Sequence, residues 1–199
     1  MEISLILSAV IGYFIGSISV SILLSRFVYH SDVRAQGSGN AGATNAARVY
    51  GMQAGVLTFA GDFVKGILSM SIGSLLAGTE GMALAGAAGL IGHCFPIYFK
   101  FKGGKAVSTG AAIGLMIDWR LFLITVAVFA LVAFLTRIAS VSSMSAGVAL
   151  AIFTPFFTTE ACLIALSIFG SLLVITMHRA NIKRLIHGEE KKFRAGKRS

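Results

Sequence analysis

Three short polar segments interrupt an otherwise apolar chain, and each carries groups that could bind a phosphate. They are residues 37–48 (GSGNAGATNAAR), 101–110 (FKGGKAVSTG) and 178–190 (HRANIKRLIHGEE). Glycine N–H groups, amides, hydroxyls and basic side chains recur among them, and proteins bind anions with these groups. Because each segment lies at the end of an apolar run, together they predict an anion site on one face of a membrane.

The first segment is rich in glycine and in neutral hydrogen-bonding side chains. Gly37, Gly39 and Gly42 would let successive backbone N–H groups turn toward one anion. The same glycines match a GxGxxG pattern, but the strand and helix setting of a dinucleotide site is missing, so we exclude that interpretation. Arg48 follows Thr44 by four residues and would point the same way on a helix. The candidate phosphate-binding residues are Ser38, Gly39, Asn40, Gly42, Thr44, Asn45 and Arg48. The alternative is a membrane-surface loop with a polar cap.

The second segment places a lysine just before a helix. Gly103 and Gly104 precede Lys105, and the first helical turn would carry Ser108 and Thr109 on the same face as the lysine. A positive helix terminus, an ammonium group and two hydroxyls would then converge on a phosphate. The segment is not a Walker A loop, because alanine follows the lysine and the upstream glycine is missing.

The third segment is expected to extend the last apolar run as a helix that ends near Gly188. His178, Asn181 and Arg184 recur at intervals of three, within an arc of about 120° at ~100° per residue. One helix face is therefore polar and basic, and Arg179 adds a cation next to the histidine. A histidine at a membrane interface often has only a structural role, so a structural and a functional role both stay open for His178.

Further polar and small residues bear on the same site. Arg137 begins a fourth polar patch, in which Ser142 could line the site. Asp62 and Lys65 lie three residues apart within an apolar run, where they can pair, and we expect a structural pair that supports the site, with direct contact to substrate as the alternative. GxxxG spacings predict close helix packing at Gly12/Gly16, Gly51/Gly55 and Gly110/Gly114.

The composition defines the class of protein that must position these residues. Apolar residues make up 56% of the chain and charged residues 13%, with a mean hydropathy of +0.84, which indicates an integral membrane protein. The apolar runs are continuous, which favours helices over a β-barrel. We predict an all-α polytopic fold, a single domain over residues 1–199 with a basic tail from about residue 188. Its seven transmembrane helices correspond to runs at 3–25, 53–77, 81–99, 106–117, 121–136, 141–157 and 161–177.

The basic residues predict the orientation. With seven crossings, 15 of the 17 Lys and Arg residues fall on the side of the C-terminal tail. Arg120 alone lies on the other side, and Lys65 lies within a span. Because cytoplasmic loops carry the excess of Lys and Arg, we expect the N-terminus outside and all three polar segments in the cytoplasm. Lys100 and Lys102 are expected to anchor the chain at the membrane surface.

No cofactor or metal is expected from the residue pattern. Cys94 and Cys162 lie in apolar runs without metal-ligand spacing, so we expect free thiols. The net charge of +9 does not indicate nucleic acid, because the basic residues flank membrane spans and no aromatic platform accompanies them. Phosphorylated substrates and membrane lipid are the expected partners, and no obligate protein partner is inferred.

The three segments together resemble the motifs of the bacterial acyl-phosphate:glycerol-3-phosphate acyltransferases, approximately SGNxGATNxxR, FKGGKxVAT and HRxNIxRLxxGxE. In this chain they stand as residues 38–45 with Arg48, residues 101–109, and residues 178–185 with Gly188 and Glu190. Ser108 replaces the commoner Ala. The resemblance implies an enzyme of the bacterial inner membrane that moves a fatty acyl group from acyl phosphate to the 1-hydroxyl of sn-glycerol 3-phosphate. The products are lysophosphatidate and phosphate.

That chemistry fits the candidate residues. Acyl phosphate carries a good leaving group, so catalysis would depend on positioning and on charge stabilisation. The residues expected to carry it are His178, Asn181, Lys105 and Arg48. Either His178 or the phosphate of one substrate would accept the hydroxyl proton.

Two other classes of protein fit the sequence less well. A transporter of an organic phosphate would place its site at the membrane midplane between internal repeats, whereas here the polar groups cluster at one interface and the halves show no repeat. A lipid-binding scaffold without catalysis does not explain three separate anion-binding segments.

Overall fold

The computed structural model describes residues 1–192 of the 199-residue chain, and within that range it contains helices and no strand. The predicted all-α class is therefore confirmed. The part of the predicted basic tail that follows Lys192 lies outside the described residues. The helices are α1 (Glu2–Gly16), α2 (Val20–Phe27), α3 (Ala43–Tyr50), α4 (Met52–Cys94), α5 (Val107–Ile117), α6 (Trp119–Thr136), α7 (Ala139–Phe153), α8 (Ala161–Met177) and α9 (Arg179–Ile186).

Helix α4 is a hairpin of two helices joined at a sharp break. Ala77 and Gly78 have non-helical backbone angles, and Gly78 has a φ of 58°, a conformation that glycine adopts without steric cost. On either side of the break the backbones of Gly73 and Gly81 touch, so a Cβ atom on either residue would collide with the other's carbonyl oxygen. The break falls where one predicted apolar run ends and the next begins.

Helix α1 packs against the second half of α4 through glycines on both helices. Gly12 lies against the backbone of Ala85, and Gly16 lies against that of Gly89. Without side chains at these positions, the two backbones approach closely. The close packing predicted for the Gly12/Gly16 pair is confirmed.

Two of the predicted continuous helices are bent. The run at 3–25 divides into α1 and α2, with Ser17 to Ser19 between them. The sequence predicts that the last run continues straight out of the membrane, but α8 and α9 meet at His178 with an angle of 55° between them. Gly16 and Ser17 stand at the first bend, and a glycine–serine pair is a common place for a helix kink, whereas no Pro or Gly is adjacent to His178 at the second bend.

Among residues 1–192, four segments are long and apolar enough to cross a membrane, one of them containing the α4 hairpin, and the bent pair of α8 and α9 makes a fifth. The four are Glu2–Phe27, Met52–Phe99, Trp119–Thr136 and Ala139–Phe156. Helix α5 is apolar but has only 11 residues. It lies at the centre of the bundle, where Ile113 packs in the same buried cluster as Leu90 of α4 and Leu166 of α8.

Candidate functional site

The polar segments meet at one cavity of about 580 Å³. Its polar end is formed by the beginnings of α3, α5 and α7 and by the junction of α8 with α9, and its apolar end by side chains of α5 to α8. The predicted site residues that line it are Ser38, Asn40, Gly42, Thr44, Asn45, Arg48, Lys105, Ser108, His178, Asn181 and Arg184. The tertiary structure thus brings the three segments together, as expected.

A hydrogen-bonded network connects the second and third segments. Lys105 Nζ donates to Asn181 Oδ1, and Asn181 Nδ2 donates to Glu190 Oε1 over 2.5 Å. Glu190 also accepts from Ser140 Oγ at 2.8 Å and from Arg184 Nε at 2.7 Å. The network therefore fixes the lysine, the α9 face and the beginning of α7 relative to one another. Glu190 was not among the predicted site residues, although an acidic side chain within a basic segment was a signal for such a role.

The charges of this network perturb one another. Burial, together with the positive charges of Arg184 and Arg48, lowers the pKa of Lys105 to about 8, although Glu190 opposes the shift. Burial disfavours the ionised form of Glu190, but hydrogen bonds from Asn181, Arg184 and Ser140 outweigh it and hold the pKa of that carboxyl below its ordinary value. Three cations face one carboxylate, which leaves an excess of positive charge for an anion.

His178 lies at the bend between α8 and α9 and is almost completely buried against the cavity. Its Nδ1 is 2.7 Å from Val174 O. A carbonyl can only accept, so Nδ1 carries the proton and Nε2 of the neutral ring is the acceptor. The position is suited to hydrogen bonding with a hydroxyl group in the cavity.

Asn45 is placed differently from expectation, because its side chain holds the first segment together. Its Oδ1 accepts from Ser38 N at 2.8 Å, and its Nδ2 donates to Val33 O and Gln36 O. These bonds occupy the amide, so Asn45 shapes the loop. Gly39, whose φ is +73°, donates its N–H to Gln36 O and does not line the cavity.

In the first segment, the N–H groups available to an anion therefore lie at a helix terminus and not at the glycines, where the sequence predicts them. The N–H groups of Ser38 and Gly39 already have acceptors within the protein. Helix α3 begins after Gly42, and Gly42, Ala43 and Thr44 line the cavity. The first N–H groups of a helix have no intrahelical acceptor, so the beginning of α3 offers the donors that the loop does not.

The glycines of the second segment also differ from the prediction. Gly103 N donates to Cys94 O at 3.1 Å and Gly104 N to His93 O at 3.0 Å, so neither N–H group is free for an anion. A Cβ atom at Gly104 would collide with the His93 ring. The glycines allow the loop to pack tightly against the end of α4, and this packing positions Lys105.

Arg34 connects the first two segments, although no pattern in the sequence points to it. Its Nη1 donates to Phe99 O at 2.9 Å and to Lys102 O at 3.3 Å, while its Nε and Nη2 donate to the Asp32 carboxylate. The hydrogen bond from Arg34 lowers the pKa of Asp32 to about 2. These contacts fix the loop before the first segment relative to the loop that contains the second.

Besides Gly39, Gly103 and Gly104, three more predicted residues do not line the cavity. Thr109 is buried, and its Oγ1 has no hydrogen-bond partner. Ser142 Oγ donates to Ile138 O at 2.9 Å, whereas Ser140 and Ser143, three residues apart on the same helix face, line the cavity. Arg179 is exposed on the outer face of α9.

The predicted pair of Asp62 and Lys65 is confirmed, with Lys65 Nζ 2.9 Å from Asp62 Oδ1. Lys65 Nζ also donates to Ile18 O at 2.5 Å, which connects α4 to the bend between α1 and α2. His93 Nδ1 lies 3.7 Å from Asp62 Oδ1, and both residues line the cavity. His93 was missed because a single histidine in an apolar run usually has a structural role.

These features define an integral membrane protein whose basic, helix-capped cavity continues into an apolar one. A family model described as glycerol-3-phosphate acyltransferase matches residues 6–188. The chain belongs to this glycerol-3-phosphate acyltransferase family.

Curated relatives and solved structures of glycerol-3-phosphate acyltransferases are similar to this chain over nearly its whole length. A glycerol-3-phosphate acyltransferase of Syntrophotalea carbinolica is 42% identical over 186 residues, covering 92% of this chain and 95% of the relative. One from Bacillus subtilis is 40% identical, covering 93% and 95%. The crystal structure of PlsY (YgiH), an integral membrane glycerol 3-phosphate acyltransferase, in its glycerol 3-phosphate form has a TM-score of 0.90, 31% identity and 96% coverage of both chains. Its lysophosphatidic acid form gives a TM-score of 0.87 at 30% identity, covering 96% of this chain and 95% of that one.

Proposed function

We propose that this chain transfers a fatty acyl group from acyl phosphate to the 1-hydroxyl of sn-glycerol 3-phosphate, forming lysophosphatidate and phosphate for phospholipid synthesis. The observation that carries the proposal is the cavity itself, which is basic at one end and apolar at the other. Both substrates carry a phosphate and one carries an alkyl chain, so they need these two environments side by side. The glycerol 3-phosphate and lysophosphatidic acid forms of PlsY support the same activity.

The phosphate groups would bind at the polar end. Arg48, Lys105 and Arg184 supply positive charge there, and the beginnings of α3 and α5 supply N–H donors and the positive ends of helix dipoles. Charge-assisted hydrogen bonds of this kind are stronger than neutral ones, and a partly desolvated cavity strengthens them further. The remaining predicted residues with polar side chains at this end, Ser38, Asn40, Thr44 and Ser108, would complete the binding site.

In the reaction, the 1-hydroxyl oxygen of glycerol 3-phosphate attacks the acyl carbonyl carbon. A new C–O ester bond forms, the bond from that carbon to the phosphate oxygen breaks, and phosphate leaves with the bonding electrons. Lys105 and Arg48 would stabilise the negative charge on the departing phosphate. The hydroxyl proton goes to His178 Nε2 or to a substrate phosphate oxygen, and the pH profile of a variant can distinguish these acceptors.

Asn181 is suited to orient the reacting groups. Its amide is held from both sides, by Lys105 at Oδ1 and by Glu190 at Nδ2. A side chain fixed in this way loses little conformational entropy when substrate binds, which favours positioning. We therefore place Asn181 with His178, Lys105 and Arg48 among the residues that carry the reaction.

The proposed topology has seven crossings, made by α1, the two halves of α4, and α5 to α8. The N-terminus would lie outside and the cavity would open to the cytoplasm of the inner membrane. The asymmetry of Lys and Arg supports this orientation, as does the shared position of the beginnings of α5 and α7 and the end of α8 at the polar end. Because segments from Gly37 to Lys191 contribute to one cavity, and α1 packs against α4, we propose a single domain.

Single-cysteine labelling of intact cells tests the topology, in a background without Cys94 and Cys162. An impermeant thiol reagent should label cysteines at Glu80 and Trp119 and leave Ser38 and Arg137 unlabelled. Labelling at Ser38 would contradict the orientation.

The activity is tested with purified protein, palmitoyl phosphate and glycerol 3-phosphate. We expect equal amounts of lysophosphatidate and released phosphate, and no comparable turnover with acyl-CoA, because the basic end of the cavity would hold a small phosphate leaving group. Release of phosphate without lysophosphatidate would contradict acyl transfer. Uptake of glycerol 3-phosphate into vesicles without turnover would indicate a transporter instead.

A further inference from the structure

Gly110 differs from the other described glycines that have helical backbone angles. It lies in the first turn of α5, is buried, and lines the cavity. Apart from its chain neighbours and the adjacent backbone of its own helix, a Cβ atom built at this position would meet no atom within 4 Å. A buried helix position whose side chain would contact nothing must face an open volume, and the volume that Gly110 borders is the cavity.

Most glycines in the described helices have a packing reason, which Gly110 lacks. A Cβ atom at Gly66 would lie 2.8 Å from Ala112 Cβ, and one at Gly114 would lie 3.3 Å from Phe122 Cα. Glycine weakens a helix interior relative to alanine, so a glycine without close contacts is not explained by stability. The GxxxG prediction is therefore correct for Gly114 and wrong for Gly110.

The position of Gly110 along the cavity indicates which part of a substrate could occupy the space beside it. Gly110 lies three residues after Val107, roughly 4.5 Å along the helix from its beginning. Lys105 lines the polar end, and Leu150 of α7 lines the apolar end. Gly110 therefore lies one turn of α5 beyond the polar end, and α7 contributes the small residues Ser143, Ala146 and Gly147 to the lining.

We propose that Gly110 is a specificity-determining residue that keeps open the passage between the phosphate-binding end and the apolar end of the cavity. A long acyl chain whose phosphate is held near Lys105 has to run past this point, whereas a short chain ends near it. The inference rests on the proposed function, because it takes the alkyl chain of an acyl phosphate as the occupant. A side chain at residue 110 would narrow the passage without disturbing the helix.

The test compares Gly110→Ala and Gly110→Leu with the unsubstituted protein, using butyryl, dodecanoyl and palmitoyl phosphate. We expect the ratio of kcat/KM for palmitoyl phosphate to that for butyryl phosphate to fall at least about tenfold in Gly110→Leu, with a smaller fall in Gly110→Ala. KM for glycerol 3-phosphate should stay close to its original value. Both variants should keep or raise the Tm in detergent, because the new side chain replaces a glycine and meets open space.

Gly66→Ala is the matched control, since it adds the same methyl group to a helix at a packed position. It should lower the Tm and leave the chain-length ratio unchanged. An equal loss for all three donors in the Gly110 variants, or an unchanged ratio in Gly110→Leu, would overturn the inference. Failure of the unsubstituted protein to acylate glycerol 3-phosphate with any of the donors would instead refute the proposed function.

Discussion

Lys105 connects the charged groups of the cavity with the residues expected to carry the reaction. It contacts Asn181, and its ammonium group lies in the field of Arg184, Glu190 and Arg48. The glycines before it bring no anion-binding N–H groups, because those groups bond to the end of α4. The second segment would therefore bind a phosphate mainly through the charge of Lys105.

Removing that charge should cost most of the activity. A charge-assisted hydrogen bond to a phosphate in a partly desolvated site is worth roughly 1.5–3 kcal/mol, so Lys105→Ala should lower kcat/KM about 10- to 150-fold. Lys102→Ala is the matched control, because Lys102 is exposed and is expected to anchor the chain at the membrane surface. Equal losses in the two variants would contradict a specific role for Lys105.

The lowered pKa of Lys105 also predicts a pH dependence. The pKa of about 8 lies below the ordinary value of 10.5, so Lys105 is a cation below about pH 8 and loses its charge above it. We expect kcat/KM, which reports the free enzyme, to decline as the pH rises through about 8. In Lys105→Arg, any kcat/KM that remains should not decline as the pH rises through about 8, since arginine stays protonated. An unchanged alkaline limb in that variant would assign the limb to another group.

His178 can be assigned a role by the acidic side of the same profile. His178→Ala removes Nε2, and we expect a slower enzyme. If the acidic limb disappears with the histidine, Nε2 is the acceptor of the hydroxyl proton. If the limb remains, a substrate phosphate accepts the proton and His178 has a binding role. An enzyme with full activity would exclude both roles.

At the scale of the element, the cavity depends on how helices begin and on how loops are held. Helices α3, α5 and α7 all begin at the polar end of the cavity. The loop before α3 is fixed by the Asn45 amide, and the loop before α5 is fixed by the contacts of Gly103 and Gly104 with the end of α4. Side chains that were expected to bind substrate therefore turn out to shape the loops.

Asn45→Ala should destabilise the protein. The substitution leaves Ser38 N and Val33 O without their buried partner, and an unsatisfied buried group costs about 1–3 kcal/mol. We expect a lower Tm in detergent, together with weaker binding of glycerol 3-phosphate because the beginning of α3 moves. Gln53→Ala is the control, because it truncates an exposed amide and should change stability by at most about 0.5 kcal/mol. A Tm that is unchanged in Asn45→Ala would contradict this account.

At the scale of the whole molecule, the chain brings segments that are remote in sequence to one end of a helical bundle. The hairpin at Gly78 returns the chain to the polar end, and the α8 to α9 bend then turns the third segment toward Lys105. The network through Glu190 links this segment to α7. A substrate bound in the cavity would thus contact the first, second and third polar segments together.

The proposed reaction needs no metal, because acyl phosphate already carries a good leaving group and the site supplies its own positive charge. Turnover should therefore survive exhaustive treatment with EDTA, measured as lysophosphatidate formed by the purified protein. The control is addition of magnesium to the treated enzyme, which should change the rate little. Loss of activity with EDTA and its recovery with magnesium would contradict the metal-free reaction.

The class of protein and most residues of the polar end of the site can be predicted from the sequence alone. Composition and continuous apolar runs indicate membrane helices whatever their packing, because lipid requires a backbone that satisfies its own hydrogen bonds. The motifs carry Arg48, Lys105, His178, Asn181 and Arg184, all of which line the cavity. Local spacing sufficed here because these residues lie at helix ends, where their side chains face a polar environment.

Tertiary contacts, in contrast, establish which groups are free to act and which are engaged with the protein. Asn45 and the N–H groups of Gly103 and Gly104 look like ligands in the sequence, but carbonyl or amide groups 7 to 12 residues away in the chain occupy them. Gly110 has the spacing of a packing residue and faces open space instead. Glu190 becomes a site residue only when α7 and α9 meet. Spacing specifies which way a side chain points on its own helix, whereas its partner depends on contacts between segments far apart in the chain.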